Sequence, residues 1–439
     1  MNICIITSSF PSHPDDIVQA PFIVPFIEGL KKRGHRVFVF TQDRKGLKGE
    51  FSKEVQIKWF PWMGSKSPLV HLKPSRPMDC LRIASLWFNG RKALLPFVKE
   101  NQIDVCLALW VLPSGYFAND VYRRTGTPYS VWALGSDIYR YEKNPFLYPM
   151  MKRIIREARG VFVDGFGLSK KVEERFGRKC SFLATTRRLM PVQTDRIEGS
   201  SHPYRFLFVG RLEKVKGIDL LLHSMVLLNE ESVNLHLTIV GKGGMELWAK
   251  NFVSRNGLET KVIFLGNVDD QKLASLYASS DCVVIPSRSE SIPLVFSEAL
   301  RFNKALIVTD VGDMGTLGRQ YGVAWVVPPE SAEALKEAMK KRVESTHSAP
   351  QSDPSTALRT SARGMLRVDP STKLRASTER RFLPRFKNRG LAPSNVSKDK
   401  EQTGVDDGRR ADLMRLFDVE MSVKRFLADY EEDHGGRRE

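Results

Sequence analysis

The chain has 439 residues, of which 42% are apolar and 27% charged. This composition is typical of a soluble globular protein with two or three domains and excludes collagenous, fibrous and wholly disordered chains. The net charge of +18 is uneven, because residues 1–200 carry +14, residues 201–344 carry zero and residues 345–439 carry +4.

No stretch approaches the roughly 18 apolar residues that a membrane-spanning helix needs, and the start of the chain lacks the pattern of a secretory signal. We therefore expect a cytoplasmic protein. The five cysteines are far apart and form no CxxC pair, which predicts buried free thiols rather than disulfides or zinc ligands.

Residues 1–188 predict a first α/β domain. An apolar strand, NICIIT, precedes a helical pattern that ends at Gly34, and the strand RVFVFT follows directly. The same order recurs in IDVCLALW, a helix near residues 114–125, TPYSVWAL, a helix near residues 145–158 and GVFVDG. Strands that are apolar throughout are typical of a parallel sheet covered on both faces.

Residues 189–204 are polar and predict a linker, after which residues 205–345 repeat the βα order. The predicted strands are RFLFVG, LHLTIVG, KVIFLG, DCVVIP and ALIVTD, with helices between them. The fold class is therefore α/β, with two doubly wound Rossmann-like domains. Such sheets bind ligands in a crevice at the carboxyl ends of their strands.

Residues 346–410 interrupt this order. They are rich in Ser, Pro and Arg, and DPSTALRTS from Asp353 is echoed by DPSTKLRAS from Asp369. We interpret them as a disordered basic insert, because two short repeats without apolar periodicity cannot form a core. Residues 411–439 regain a helical pattern and predict one final helix.

A candidate anion site follows the first strand of the second domain. In VGRLEKVKG, Arg211 and Lys216 lie in a loop between a buried strand and a helix that begins near Gly217. Two cations beside the free N–H groups of a helix start are suited to a diphosphate, although cations at strand ends are also common on protein surfaces.

Two carboxylates lie in a second loop and helix of the same domain. Glu290 follows the predicted strand CVVIP, and Glu298 lies eight residues later in the helix that Pro293 begins. Either residue alone is better explained by a helix cap or an exposed side chain. Their position at the same sheet edge as Arg211 and Lys216 favours a shared site.

Together, VGRLEKVKG and PSRSESIPLVFSEAL resemble the retaining glycosyltransferases of family 4, which have the GT-B fold. Weaker similarities are LPSG, GSDI, IVGKGG, LGNV and the segment FDVEMSVKRFLADYEE from Phe417. The resemblance implies that the final helix crosses back to an acceptor-binding first domain. It also implies transfer of a hexosyl group from a nucleotide-diphosphate sugar to a glycan or lipid-linked acceptor in envelope polysaccharide, lipopolysaccharide or glycolipid synthesis.

The resemblance also assigns site residues. Arg211 and Lys216 would hold the diphosphate, Glu298 the ribose and Glu290 the donor sugar. Further expected contacts are the backbone near Ile292, Leu294 and Val295 with the sugar, Val268 with the base, and Asp137 of GSDI with the reacting sugar from the first domain. The implied reaction uses no metal or other cofactor, since cations stabilise the leaving diphosphate.

Leu134 stands where many family members have His, so acceptor activation by that side chain is not implied. A non-catalytic nucleotide- or glycan-binding protein and another GT-B enzyme, such as a nucleotide-sugar epimerase, remain alternatives. The basic first domain predicts an anionic membrane surface as a partner, through residues 31–36 and residues 152–159, with simple solubility as the alternative. No nucleic-acid partner is expected, because nucleic-acid-binding motifs are absent.

Overall fold

The computed structural model describes residues 1–11, 20–43, 55–64, 69, 72, 75–190, 192, 202–347 and 407–431. Within these residues the chain forms two parallel β-sheets, each with helices on both faces. The predicted fold class, two Rossmann-like α/β domains, is confirmed. Most of the predicted linker and most of the predicted insert lie outside the described residues.

The first sheet has seven parallel strands in the order β3-β2-β1-β4-β5-β6-β7. Its strands are β1 (Asn2–Ile6), β2 (Arg36–Gln42), β3 (Gln56–Phe60), β4 (Val105–Leu109), β5 (Tyr129–Ala133), β6 (Val161–Val163) and β7 (Ser181–Phe182). In the centre of the sheet, Cys4 of β1 lies opposite Phe38 on one side and Cys106 on the other. These central strands are buried on both faces, as their continuous apolar sequence predicts.

The helices of the first domain are α1 (Ile23–Lys32), α2 (Pro77–Glu100), α3 (Tyr116–Thr125), α4 (Ser136–Tyr141), α5 (Leu147–Glu157) and α6 (Phe166–Phe176). Residues of α2, α3, α5 and α6 share one apolar cluster, and α1 contributes to another. Glycines with left-handed φ angles, Gly126 and Gly177, end α3 and α6. The exposure of Cys80 on α2 corrects the prediction that every cysteine is buried.

The second sheet has six parallel strands in the order β10-β9-β8-β11-β12-β13. Its strands are β8 (Tyr204–Val209), β9 (Leu235–Val240), β10 (Val262–Gly266), β11 (Cys282–Ile285), β12 (Ala305–Thr309) and β13 (Trp325–Val327). Its helices are α7 (Ile218–Glu230), α8 (Glu246–Arg255), α9 (Asp270–Ser279), α10 (Leu294–Arg301), α11 (Met314–Tyr321) and α12 (Ala332–His347).

The C-terminal segment forms two helices, α13 (Asp407–Leu416) and α14 (Val419–Glu431), where the sequence predicted one. The break lies at Asp418, whose side chain accepts a hydrogen bond from the Met421 N–H (3.1 Å), as helix N-caps do. Residues 346–347 belong to α12 and residues 407–410 to α13, so both edges of the predicted disordered insert are helical. Arg410 is buried there, and its guanidinium donates hydrogen bonds to the backbone oxygens of Leu300 and Lys304.

The two C-terminal helices join the two domains. Leu413 and Phe417 pack in a cluster of the second domain, whereas the Phe426 ring of α14 lies 5.8 Å from that of Phe26 in α1. The Tyr430 hydroxyl also bonds to Ser130 Oγ of β5 (2.5 Å). The described part of the chain therefore ends in contact with the first domain.

Candidate functional site

The candidate site lies where the winding of the second sheet reverses. β9, the next strand in sequence after β8, lies on one side of β8, and β11 lies on the other. Loops that leave adjacent strands at such a point diverge and form a crevice at the sheet edge. The loop after β8 comprises residues 210–217 and holds Arg211 and Lys216. The loop after β11 comprises residues 286–293 and holds Glu290 and Ile292.

An ion pair connects these two loops. Nζ of Lys216 contacts Oε1 of Glu290, and the side chains are only 22% and 16% exposed. Gly217 follows Lys216 with a φ of +71°, and a Cβ at this position would lie 1.9 Å from the Pro286 carbonyl oxygen. Glycine is therefore required for the close approach of the two loops. The structure thus brings together two residues that lie 74 positions apart.

Arg288 also connects the two loops, and the sequence did not indicate it. Its guanidinium makes two hydrogen bonds to the Asp219 carboxylate in the first turn of α7 (2.6 and 2.9 Å). Its backbone N–H donates to the Val215 oxygen (2.8 Å). A bidentate arginine–carboxylate contact fixes geometry as well as charge. Arg288 lies within the motif PSRSESIPLVFSEAL, but its contact with Asp219, 69 positions earlier, leaves no local sequence signal.

The site combines positive charges with a helix N-terminus. Burial and the positive charge of Arg211 lower the pKa of Lys216 to about 8. Arg211 itself is exposed and pairs with Glu213 at 2.9 Å. α7 begins at the next residues, and the first N–H groups of a helix have no partners within it. Cations and free N–H groups in one loop are suited to binding an anion.

Glu298 lies deeper than the ion pair. Its side chain on α10 is buried, and its carboxylate accepts a hydrogen bond from the Tyr277 hydroxyl (2.6 Å). Burial raises the pKa of Glu298, and the charge of Arg187 opposes that shift. Arg187, which forms an ion pair with Asp270, is a further charged group that the sequence analysis did not identify. The ribose contact assigned to Glu298 stays a prediction.

The remaining second-domain residues surround this pair of loops. Ile292 is buried, Val295 packs on the second-domain core, and Leu294 packs on a first-domain cluster that includes Trp110 and Leu134. The start of α10 therefore lies at the boundary between the domains. Val268 packs on the second-domain core two residues after β10 ends.

Asp137 supports a first-domain loop. It lies in α4, and one carboxylate oxygen accepts hydrogen bonds from the N–H groups of Val111 (2.6 Å) and Leu112 (3.1 Å). Burial raises its pKa, and the same hydrogen bonds oppose the shift. Its other oxygen is buried without a hydrogen-bond partner. These contacts make Asp137 an anchor for the loop after β4, and its contact with a sugar stays a prediction.

A direct contact joins the domains beside Glu290. The Asp313 carboxylate accepts hydrogen bonds from the first N–H groups of α6, those of Phe166 (2.7 Å) and Gly167 (3.0 Å). A Cβ on Gly165 would lie 1.9 Å from Ser291 Oγ, so the two domains touch here. Asp164 is buried nearby, and burial together with the charges of Asp313 and Asp137 raises its pKa to about 7.

Two further observations concern the described part of the chain. It contains no group of three or more His, Cys, Asp or Glu side chains arranged to hold a metal ion. None of its helices combines the length and the apolar character needed to cross a bilayer. The metal-independent reaction remains a prediction.

Residues 193–355 match the family model described as Glycosyl transferases group 1. Among curated proteins, TuaC of Bacillus subtilis, named for teichuronic acid biosynthesis, is 27% identical over 269 residues, which cover 57% of this chain and 64% of TuaC. The alignments with the first three curated relatives span 31% to 65% of those proteins' own lengths.

Solved structures share the fold over most or all of the chain. Sucrose-phosphate synthase of Thermosynechococcus elongatus matches with a TM-score of 0.69 and 17% identity over 99% of both chains. Anabaena HepE, solved in complex with UDP, matches with a TM-score of 0.62 and 16% identity over 79% of this chain and 90% of HepE. Residues 193–355 thus resemble a Glycosyl transferases group 1 domain, and the two-sheet fold is shared with these solved structures.

Proposed function

We propose that the protein is a retaining glycosyltransferase of family 4, which transfers a hexosyl group from a nucleotide-diphosphate sugar to a glycan or lipid-linked acceptor. The observation that carries this proposal is the Lys216–Glu290 ion pair at the start of α7, where the second sheet reverses its winding. The relatives support it, since TuaC is named as a glycosyltransferase of teichuronic acid biosynthesis and HepE was solved with UDP. We place the reaction in the cytoplasm, in cell-envelope polysaccharide or glycolipid synthesis.

The ion pair can exchange partners when a donor enters. Without a donor, Glu290 neutralises the half-buried ammonium of Lys216. A diphosphate beside α7 offers Lys216 a more strongly charged partner, which releases the Glu290 carboxylate to accept hydrogen bonds from sugar hydroxyls. The same exchange therefore places the leaving group and the sugar in neighbouring positions. Arg211, exposed at the entrance, adds a second cation to the diphosphate.

The chemistry follows from these positions. The bond between the anomeric carbon and the diphosphate oxygen breaks, and the acceptor oxygen forms a bond to the same face of that carbon. The acceptor proton passes to the departing phosphate oxygen. Negative charge grows on the diphosphate as the bond breaks, so Lys216, Arg211 and the N–H groups of α7 stabilise the transition state. One such donor commonly contributes about 3 kcal/mol.

A panel of UDP-, GDP- and ADP-sugars tests the proposal. A donor that binds only the folded state raises the melting temperature, and chromatography of the same mixtures measures donor consumption. We expect one nucleotide class to stabilise the protein and its sugar to be transferred or slowly hydrolysed. Binding without turnover would favour a non-catalytic binding protein, and conversion to an isomeric nucleotide sugar an epimerase. No response to any donor would contradict the proposal.

A further inference from the structure

One side of α2 exposes large apolar side chains. Met78, Leu81 and Phe88 are 53%, 54% and 69% exposed, and their spacings of three and seven residues place them along one side of the helix. Met63, which is 60% exposed, lies beside them, because its backbone N–H donates to Ser85 Oγ of α2 (3.0 Å). We refer to Met63, Met78, Leu81 and Phe88 as the α2 face.

Packing in the core of the first domain does not require the exposed apolar side chains of the α2 face. The opposite side of the helix makes the contacts with the first domain, where Leu86 and Leu94 are buried and Gly90 lies against the Phe117 ring. Isolated apolar side chains are normal on protein surfaces, but a row of them on one element marks a surface that meets an apolar partner.

Basic residues lie at both ends of the α2 face. Arg76 directly precedes the helix, and Arg91 and Lys92 follow Phe88 by about one turn; all three are exposed. Arg91 also pairs with Asp120 at 3.0 Å. Residues 75–100 contain five Lys or Arg and two Asp or Glu side chains. A protruding apolar row with cations at its ends complements an anionic bilayer, whose acyl chains lie beneath negative head groups.

The fold places one end of this surface near the cleft. α2 connects β3 to β4 in a parallel sheet, so it runs back along the sheet and begins at the carboxyl edge. That edge holds the loop after β4, which Asp137 anchors. Phe88 lies ten residues after Met78, a distance of about 15 Å along the helix axis.

We propose that the α2 face docks the protein on an anionic phospholipid surface, with Met63, Met78, Leu81 and Phe88 inserted among the head groups. If the proposed function holds, this docking brings the cleft to a lipid-linked acceptor. The surface differs from the two basic clusters that the sequence predicted for the membrane. In those clusters, Arg33 pairs with Glu420 and Arg159 donates to the Asp429 backbone oxygen, so both residues hold α14.

Vesicle co-sedimentation tests the proposal with the full chain. Vesicles of phosphatidylcholine alone are compared with vesicles that contain one third phosphatidylglycerol, at low and physiological salt. We expect binding to require phosphatidylglycerol and to weaken as salt rises. A triple variant, Met78→Ser, Leu81→Ser and Phe88→Ser, should bind about tenfold or more weakly. The matched control is Leu247→Ser, which changes a 74% exposed leucine on α8 of the neutral domain and should bind like the wild type.

A second variant, Arg76→Gln with Lys92→Gln, should weaken binding severalfold and reduce its dependence on salt. Equal sedimentation of the triple variant and the wild type would overturn the proposal, as would equal binding to both kinds of vesicle. A wild-type dimer in light scattering that the triple variant dissociates, with vesicle binding unchanged, would assign the face to a second copy instead. UDP binding measured on the same samples separates the docking proposal from the proposed function. A variant that loses vesicle binding but still binds UDP shows a defect of the α2 face alone.

Discussion

The two domains bring different ionisable groups to the region where they meet, and neither set follows the net charge of its domain. The first domain is strongly basic, yet it buries the carboxyl groups of Asp137 and Asp164, and Asp164 lies near Asp313 of the second domain. The second domain is neutral overall, yet its loops bring Lys216 and Arg211 to the start of α7. Net charge therefore describes the outer surface, whereas the charge of a binding site depends on which loops the sheet order brings together.

The largest effect on activity is expected from removing the second-domain cations. We expect Lys216→Ala and Arg211→Ala each to reduce sugar transfer about a hundredfold, because each removes a positive charge from the leaving diphosphate. Rates of donor consumption measure the effect, and circular dichroism checks the fold. Lys214→Ala, in the same turn but exposed, is the control and should be nearly normal. Near-normal rates in both site variants would remove the diphosphate from this position.

The pH dependence of nucleotide binding tests whether Lys216 is a cation that binds the diphosphate. The pKa of Lys216 in the free protein is lowered to about 8, and only the protonated ammonium attracts the diphosphate. The affinity for UDP should therefore be complete at pH 7 and fall about tenfold between pH 7 and pH 9. Calorimetric titrations across this range measure the effect. Lys216→Arg should bind UDP with little pH dependence, because arginine stays charged. An equally steep decline in that variant would assign the titration to another group.

The contact between the domains predicts a difference in stability. Asp313→Ala removes the carboxylate that accepts hydrogen bonds from the first N–H groups of α6, so we expect the free energy of unfolding to fall by about 1–2 kcal/mol. Asp310→Ala, three residues earlier, removes an exposed ion pair with Arg319 and should cost about 0.5 kcal/mol or less. Urea denaturation measures both. Equal losses would show that the α6 contact adds no stability beyond a surface ion pair.

The smallest effect is expected from the segment that the sequence analysis assigned to an insert. Residues 348–404 lie outside the described residues, and their composition offers no apolar periodicity. Replacing them by a short Gly/Ser linker should leave the melting temperature and the rate of transfer unchanged. A control that inserts the same linker without the deletion accounts for the linker itself. Loss of folding or activity in the deletion alone would assign the segment a role.

The strands were predictable from sequence because they are apolar along their whole length, whereas α2 was not. Its outer side carries Met78, Leu81 and Phe88, so apolar residues occur around the helix and the usual periodicity is weak. The break between α13 and α14 had a local signal, since Asp418 is a favourable N-cap, but the apolar spacing on either side concealed it.

The site was predictable only in part. Arg211, Lys216, Glu290 and Glu298 occupy two short motifs, so the sequence indicated them. The contacts of Arg187, Asp164 and Asp313 depend on the meeting of distant segments, which no local pattern encodes. The contacts of Asp137 with the loop after β4 could not be predicted for the same reason, because they depend on the order of the strands in the sheet.

Calorimetric titration with UDP tests the central claim most directly, that a nucleotide diphosphate binds between the loops after β8 and β11. Three proteins are compared: the wild type, the double variant Arg211→Ala with Lys216→Ala, and Asp164→Asn on the first-domain side. We predict that the double variant binds UDP at least a hundredfold more weakly, whereas Asp164→Asn stays within about twofold of the wild type. Wild-type affinity in the double variant, or a larger loss in Asp164→Asn, would contradict the account.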